Sequence, residues 1–292
     1  MPFGDLVTAM LTPFAPDGAV AYDQAWNLAQ YLADNGSDAI LVSGTTGESP
    51  TLSAEEKLAL FRGTVEAVAG KAKVIAGTGT YDTAESVELS KAAADVGCDG
   101  LLAVTPYYSK PPQEGIFRHF TAIAAATDLP LMLYNIPGRT ARLIEIPTLA
   151  RLGENPKIVG VKDAVEDTGF TARTVEACGD SLAIYSGSDA YTLPMMAVGA
   201  RGVVSVPSHL VGPQIKRMLQ SAIAGDMGTA TKLHHALLPL FDALFLEPNP
   251  IPLKGIMNEV WGPVGDPRLP LVAAQPETVD RIKETLVGAQ RV

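Results

Sequence analysis

Eight short, continuously apolar stretches recur along the chain, and their spacing is what most limits the folds open to it. They begin near Leu6, Asp38, Lys73, Gly100, Pro130, Ile158, Leu182 and Gly202, so successive starts lie between 20 and 35 residues apart. Each gap has room for one helix and its connections. Within a stretch the apolar residues run on, as in Ala39-Ile40-Leu41-Val42, rather than alternating with polar ones. That is the pattern of parallel strands covered on both faces, because a strand with one wet face must alternate. Helix boundaries are marked between the stretches. Ser53-Ala54-Glu55-Glu56 reads as a capping box, with the Ser53 hydroxyl accepting from the Glu56 amide and the Glu56 carboxylate reaching back to the Ser53 amide. The helix it opens runs to Ala69, where Gly70 ends it, and Asp82 and Glu85 stand in the same relation before a helix closed by Gly97. Eight strand–helix units predict an α/β fold, a (β/α)8 TIM barrel, with a doubly wound sheet as the alternative. The barrel is favoured because no Gly-x-Gly-x-x-Gly follows the first strand.

The chain has 292 residues, more than the roughly 250 of a typical barrel. After about Gly225 the strand pattern stops and three helical patterns follow, near Thr229–Phe245, Leu253–Val260 and Pro276–Ala289. The expected division is a catalytic barrel over residues 1–224 and a C-terminal helical extension over 225–292. No Gly/Ser-rich linker separates them, so the extension should pack on the barrel. A composition of 47% hydrophobic and 18% charged residues is that of a globular protein. The balance of 22 basic against 32 acidic residues, a net charge of −10, argues against nucleic acid and anionic membrane as partners but leaves room for a small anion in a locally basic pocket. Cys98 and Cys178 form no CxxC pair, His119, His209, His234 and His235 match no HExxH pattern, and no phosphate loop is present. Neither a metal nor a cofactor is therefore expected. His234 and His235, adjacent on a helix, should point to different faces. The start, Met1-Pro2-Phe3-Gly4-Asp5, lacks a basic region ahead of an apolar one, and no stretch offers about 18 uninterrupted apolar residues, so a cytoplasmic location is expected.

In such a barrel the reacting groups stand at the C-terminal ends of the strands. This filter selects Gly44-Thr45-Thr46-Gly47-Glu48-Ser49, Thr105-Pro106-Tyr107-Tyr108, Tyr134-Asn135-Ile136-Pro137-Gly138-Arg139-Thr140, Lys162, and Ser186-Gly187-Ser188-Asp189. Lys162 closes the apolar run Ile158-Val159-Gly160-Val161. A lysine in a dry site disfavours its charged form, and the neutral amine can attack a carbonyl to form a Schiff base. The other reading is a strand-end lysine whose ammonium reaches water or pairs with Asp163. Lys57, Lys71, Lys73, Lys91, Lys110, Lys157, Lys216, Lys232, Lys254 and Lys283 lie at segment ends or among polar neighbours, where a solvated charge is the expectation. The Thr45-Thr46 turn could present hydroxyl and amide donors to a carboxylate, or be a plain turn. Tyr134 could relay protons if the fifth and sixth strands pair, or be a core tyrosine. Arg139 could clamp a second carboxylate, or be a solvated loop arginine.

Taken in order, these motifs, with Leu11-Thr12-Pro13-Phe14 and Asn249-Pro250-Ile251-Pro252-Leu253-Lys254, resemble those of the dihydrodipicolinate synthase family within the pyruvate-dependent aldolase superfamily. The resemblance implies a lyase without cofactor that condenses pyruvate with aspartate-4-semialdehyde to 4-hydroxy-tetrahydrodipicolinate, on the route to diaminopimelate and lysine. Lys162 would form the imine, and Thr45, Tyr134 and Tyr108 would be the proton relay, with Tyr108 reaching in from a neighbouring subunit. Thr46 would hold the pyruvate carboxylate, Arg139 the semialdehyde carboxylate, and Gly187 and Val204 would give backbone contacts. Tyr107 would tie the dimer interface of a homotetramer built as a dimer of dimers. The alternative is another pyruvate aldolase or a 2-keto-3-deoxy sugar acid dehydratase, against which Arg139 argues; a non-catalytic barrel should have lost the lysine or a relay tyrosine. The chain departs from the family's lysine-feedback site at Ala54, Lys57 and Tyr81 while keeping Ser49, Glu85 and Tyr107. The Lys57 charge would repel a lysine ammonium, so weak or absent feedback is expected.

Overall fold

The computed structural model describes residues 3–292. Eight parallel strands close on themselves in sequence order: β1 (Leu6–Ala9), β2 (Ala39–Val42), β3 (Lys73–Gly77), β4 (Gly100–Val104), β5 (Leu131–Asn135), β6 (Ile158–Asp163), β7 (Ala183–Ser186) and β8 (Gly202–Ser205), with β8 returning to β1. The intervening helices are α1 (Tyr22–Asp34), α2 (Ala54–Val68), α3 (Thr83–Asp95), α4 (Gln113–Ala126), α5 (Pro137–Thr140), α6 (Ile146–Gly153), α7 (Thr168–Cys178), α8 (Thr192–Ala197) and α9 (Ser208–Ile223). Then come α10 (Met227–Ala243), α11 (Ile251–Val260) and α12 (Pro276–Ala289). The doubly wound alternative is excluded by the closure of β1 on β8. Strands begin within a residue or so of the places where the apolar stretches begin.

Two apolar cores result from covering a sheet on both faces. Val7, Leu41, Ile75, Leu102, Met132 and Val204 fill the barrel interior, while a larger cluster lies between the sheet and the helices. The expected capping box of α2 is complete: the Ser53 hydroxyl accepts from the Glu56 N–H, and the Ser53 N–H donates to the Glu56 carboxylate. At α3 only half of it forms. Asp82 accepts from the Glu85 N–H at 2.9 Å, but the Glu85 carboxylate accepts from Thr80 Oγ1 at 3.1 Å instead of returning to the Asp82 amide. In the extension, α10 packs on α9 and α12, and α11 packs on α12. His234 is buried and His235 exposed, on different faces of α10. Among the described residues no helix is long and apolar enough to cross a membrane.

Candidate active site

Strand pairing places Tyr134 of β5, Lys162 of β6 and Tyr185 of β7 in register, so Lys162 stands between two tyrosines inside the barrel. Lys162 is 5% exposed, and its Nζ stands 4.2 Å from the centroid of the Tyr134 ring. The two flanking tyrosines are not equivalent. The Tyr185 hydroxyl donates to the Gly4 carbonyl at 2.9 Å, whereas no hydrogen bond ties down the Tyr134 hydroxyl among the described residues. Asp163 points to the opposite face of β6 and is not the partner of Lys162. It accepts from the Val165 N–H and the Thr171 hydroxyl, and burial pushes its carboxyl up to about 6. The carboxylate that feels the Lys162 charge is that of Asp189, which follows β7. Burial pushes Asp189 up to about 6; the Ser205 hydroxyl, the Val206 N–H at 3.2 Å and the Lys162 charge pull the other way, and among the described residues nothing donates a hydrogen bond to its buried Oδ1.

The turn after β2 carries the two threonines. Thr45 is half-buried and lines a cleft of about 460 Å³ together with Tyr107, Tyr134 and Arg139. Thr46 is 2% exposed, and its Oγ1 accepts from Asn249 Nδ2 at 2.9 Å. The turn closes through Glu48, which takes the left-handed conformation at φ 55°, a region that costs a non-glycine residue of order 1 kcal/mol. Groups from the extension hold it there. Lys254 Nζ lies 2.7 Å from the Glu48 carboxylate with both side chains 1% exposed, and the Arg268 N–H donates to its other oxygen at 2.9 Å. Lys254 Nζ also lies over the Phe14 ring at 3.9 Å. The Arg268 guanidinium forks onto Glu56 at 2.8 and 2.6 Å, so the residue that caps α2 also receives the extension.

These contacts correct one expectation from the sequence. Lys254 and Lys57 are not solvated: they are 1% and 6% exposed. Burial lowers both, Lys254 to about 8, while Glu48 and Glu85 respectively pull them back up. Their carboxylate partners lie far off in sequence or on another helix, so no nearby residue identifies the partner that burial requires. Glu48, Asn249, Lys254 and Asp189 were all inside motifs singled out above, but no role was attached to them. For Asn249 and Lys254 the available signal is the Asn249-Pro250-Ile251-Pro252-Leu253-Lys254 motif, which carries the family resemblance.

The remaining candidates divide. The Gly187 N–H donates to the Asp163 carbonyl at 2.7 Å, and a Cβ at Gly187 would meet that of Ala164 at 2.8 Å, so glycine is required where β7 leaves the barrel beside β6. Val204 lies inside the barrel on β8, paired with Val7. Arg139, exposed on α5, reaches the Asn249 carbonyl through Nη2 at 3.4 Å. Tyr107 is packed edge-on against Tyr81 at 5.4 Å, and burial raises its hydroxyl pKa. Lys162, Thr46, Gly187 and Val204 are not among the residues that line the cleft itself, and Tyr108 faces away from it: it is 92% exposed, with φ 66°. Among the described residues no group of three His, Cys, Asp or Glu side chains could hold a metal.

Comparison with known proteins agrees over the whole chain. The sequence model of the Dihydrodipicolinate synthetase family matches residues 2–289. A 4-hydroxy-tetrahydrodipicolinate synthase from Thermosynechococcus vestitus is 52% identical over 285 residues, covering 97% of this chain and 96% of the relative. The crystal structure of a dihydrodipicolinate synthase from Cyanidioschyzon merolae with lysine bound superposes with a TM-score of 0.97 at 46% identity, covering 100% of this chain and 99% of that one. A chloride-inhibited enzyme from Acinetobacter baumannii, complexed with pyruvate, gives a TM-score of 0.94 at 37% identity with both chains fully covered.

Proposed function

The chain belongs to the dihydrodipicolinate synthetase family, and from that premise we propose that Lys162 is the amine through which it works. Its activity is that of a 4-hydroxy-tetrahydrodipicolinate synthase, with pyruvate as a substrate. In the reading we favour, Lys162 Nζ attacks the keto carbon of pyruvate and water leaves, giving a protonated imine. The imine withdraws electrons from the neighbouring methyl group, a methyl proton departs, and the resulting enamine carbon bonds to the aldehyde carbon of aspartate-4-semialdehyde. The semialdehyde's amine then displaces Lys162 and closes the ring, and the amine is regenerated. The observation that carries this reading is the buried Lys162 Nζ, 4.2 Å from the ring of a tyrosine whose hydroxyl is unengaged among the described residues.

Thr45 and Tyr134, which line the cleft, are the relay members within this subunit. Thr46 binds the keto-acid carboxylate, Gly187 and Val204 offer main-chain contacts, and Arg139 binds the semialdehyde carboxylate. Tyr108 projects outward from its loop, as a residue serving a neighbouring copy would, and Tyr107 supports that interface; the assembly is a homotetramer in the cytoplasm. Residues 1–224 carry the chemistry, and residues 225–292 form the helical extension. The test is to incubate the protein with pyruvate and borohydride and map the adduct. A mass increase on the peptide bearing Lys162, absent from Lys162→Ala, is expected; an adduct on any other lysine overturns the assignment. Consumption of pyruvate on adding aspartate-4-semialdehyde, and not on adding a sugar aldehyde, fixes the partner.

A further inference from the structure

The two carboxylate-binding candidates come from different strands, Thr46 after β2 and Arg139 after β5, and one residue of the extension touches both. Asn249 is 7% exposed. Its Nδ2 donates to Thr46 Oγ1 at 2.9 Å, and its main-chain carbonyl accepts from Arg139 Nη2 at 3.4 Å. A hydroxyl oxygen that accepts from an amide keeps its own proton for another acceptor, so this contact sets Thr46 as a donor. The other end of the amide is informative too: Asn249 Oδ1 is buried and has no partner among the described residues. An unsatisfied buried acceptor is unfavourable for folding, so stability alone does not account for an asparagine here. Five residues on, Lys254 is locked to Glu48 of the same turn, so residues 249–254 and the Thr45–Glu48 turn are joined at two points.

We propose that Asn249 is a positioning residue that couples the two substrate subsites. Its side chain aims the Thr46 hydroxyl at the keto-acid carboxylate, and its carbonyl holds Arg139 at the reach of the second substrate's carboxylate. The proposal rests on the assignment of Thr46 and Arg139 to those carboxylates. A shift of Asn249 toward or away from the cleft would then alter both subsites together.

The experiment is a double-mutant cycle on the full chain with Thr46→Val, Asn249→Ala and the pair, beside Asn249→Asp and Arg139→Ala, reading the KM for each substrate, kcat, the rate of borohydride trapping on pyruvate and the melting temperature. Asn249→Ala should raise the pyruvate KM about tenfold, the effect of losing one well-placed hydrogen bond, with a smaller change in kcat. The main-chain carbonyl that holds Arg139 survives in Asn249→Ala, so the semialdehyde KM should rise by a smaller factor, through the shift of residue 249 that loss of the Thr46 contact allows. In the Thr46→Val background the pyruvate effect of Asn249→Ala should nearly vanish, because the hydroxyl it orients is gone. Asn249→Asp, nearly the same shape, should weaken pyruvate further by setting an anion beside its carboxylate, and it carries the comparison if the alanine variant fails to fold. Full multiplication of the two single effects on pyruvate KM, or unchanged KM values in Asn249→Ala and Asn249→Asp while Thr46→Val and Arg139→Ala raise theirs, would overturn the coupling and leave the subsites standing. Unchanged KM values in Thr46→Val and Arg139→Ala would remove the subsites and the coupling with them.

Discussion

Replacing Lys254 by Met should destabilise the protein well beyond the loss of one surface charge. Lys254 and Glu48 are each 1% exposed and 2.7 Å apart, and methionine keeps most of the lysine stem's contact with Phe14 while removing the ammonium. Among the described residues, the buried Glu48 carboxylate would then keep only the Arg268 N–H. Breaking a buried pair in this way costs about 3–5 kcal/mol, whereas replacing both partners by neutral groups is close to neutral. For a chain of 292 residues the unfolding entropy is about 0.6 kcal/mol per degree, so the loss corresponds to a drop in melting temperature of about 5–8 °C. Calorimetry of the parent, Lys254→Met, Glu48→Gln and the double variant supplies the cycle. The double variant should recover most of the loss, and Lys254→Met should raise the pyruvate KM, because the Thr46 turn loses its anchor. A parent-like melting temperature in Lys254→Met, or losses that simply add in the double variant, would refute the account of the pair.

Three further outcomes are expected. Tyr134→Phe should lower kcat by about 10²–10⁴, the range for loss of a general acid–base group, while pyruvate still traps on Lys162; undiminished turnover would dismiss the relay. Lysine at physiological concentrations should inhibit weakly or not at all, because the Lys57 ammonium lies in the field of Glu85, and Lys57→Ala should sharpen the response; strong inhibition of the parent would contradict this. Burial holds Asp163 at about 6 against an ordinary 3.8, so the folded state keeps a proton that the unfolded chain releases between those values, and this group's contribution to stability rises as pH falls through that window. Asp163→Asn should therefore gain on the parent by about 3 kcal/mol between about pH 4 and about pH 7, read from urea midpoints; a pH-independent difference would contradict the burial argument.

Much of the barrel was legible because strand periodicity is a local property. The uninterrupted runs marked the strands, and pairing of β5 with β6 set Tyr134 beside Lys162 as the strand order implied. Family resemblance, not spacing, named the roles of Thr46, Arg139, Gly187 and Val204. What escaped was the support behind the turn. Lys254 and Lys57 read as surface lysines because burial is decided by which distant segments fold over a residue; only the apolar neighbours of Lys254, Leu253 and Ile256-Met257, hint at it. The α3 start illustrates the same limit at short range: Asp82 and Glu85 have the capping-box spacing, but a competing hydroxyl on Thr80 captured the second half of the motif.

The clamps on the hydroxyl turn also fix an order of events during synthesis. Thr46 and Asn249 are separated by 203 residues, and Glu48 and Arg268 by 220. A ribosome delivers the amine and the cradle for its keto acid long before the segment that immobilises that cradle. The nascent chain can therefore build its sheet first, and it becomes competent only as its final helices emerge. A truncated product of translation would carry every reacting group and still lack the means to hold them in place.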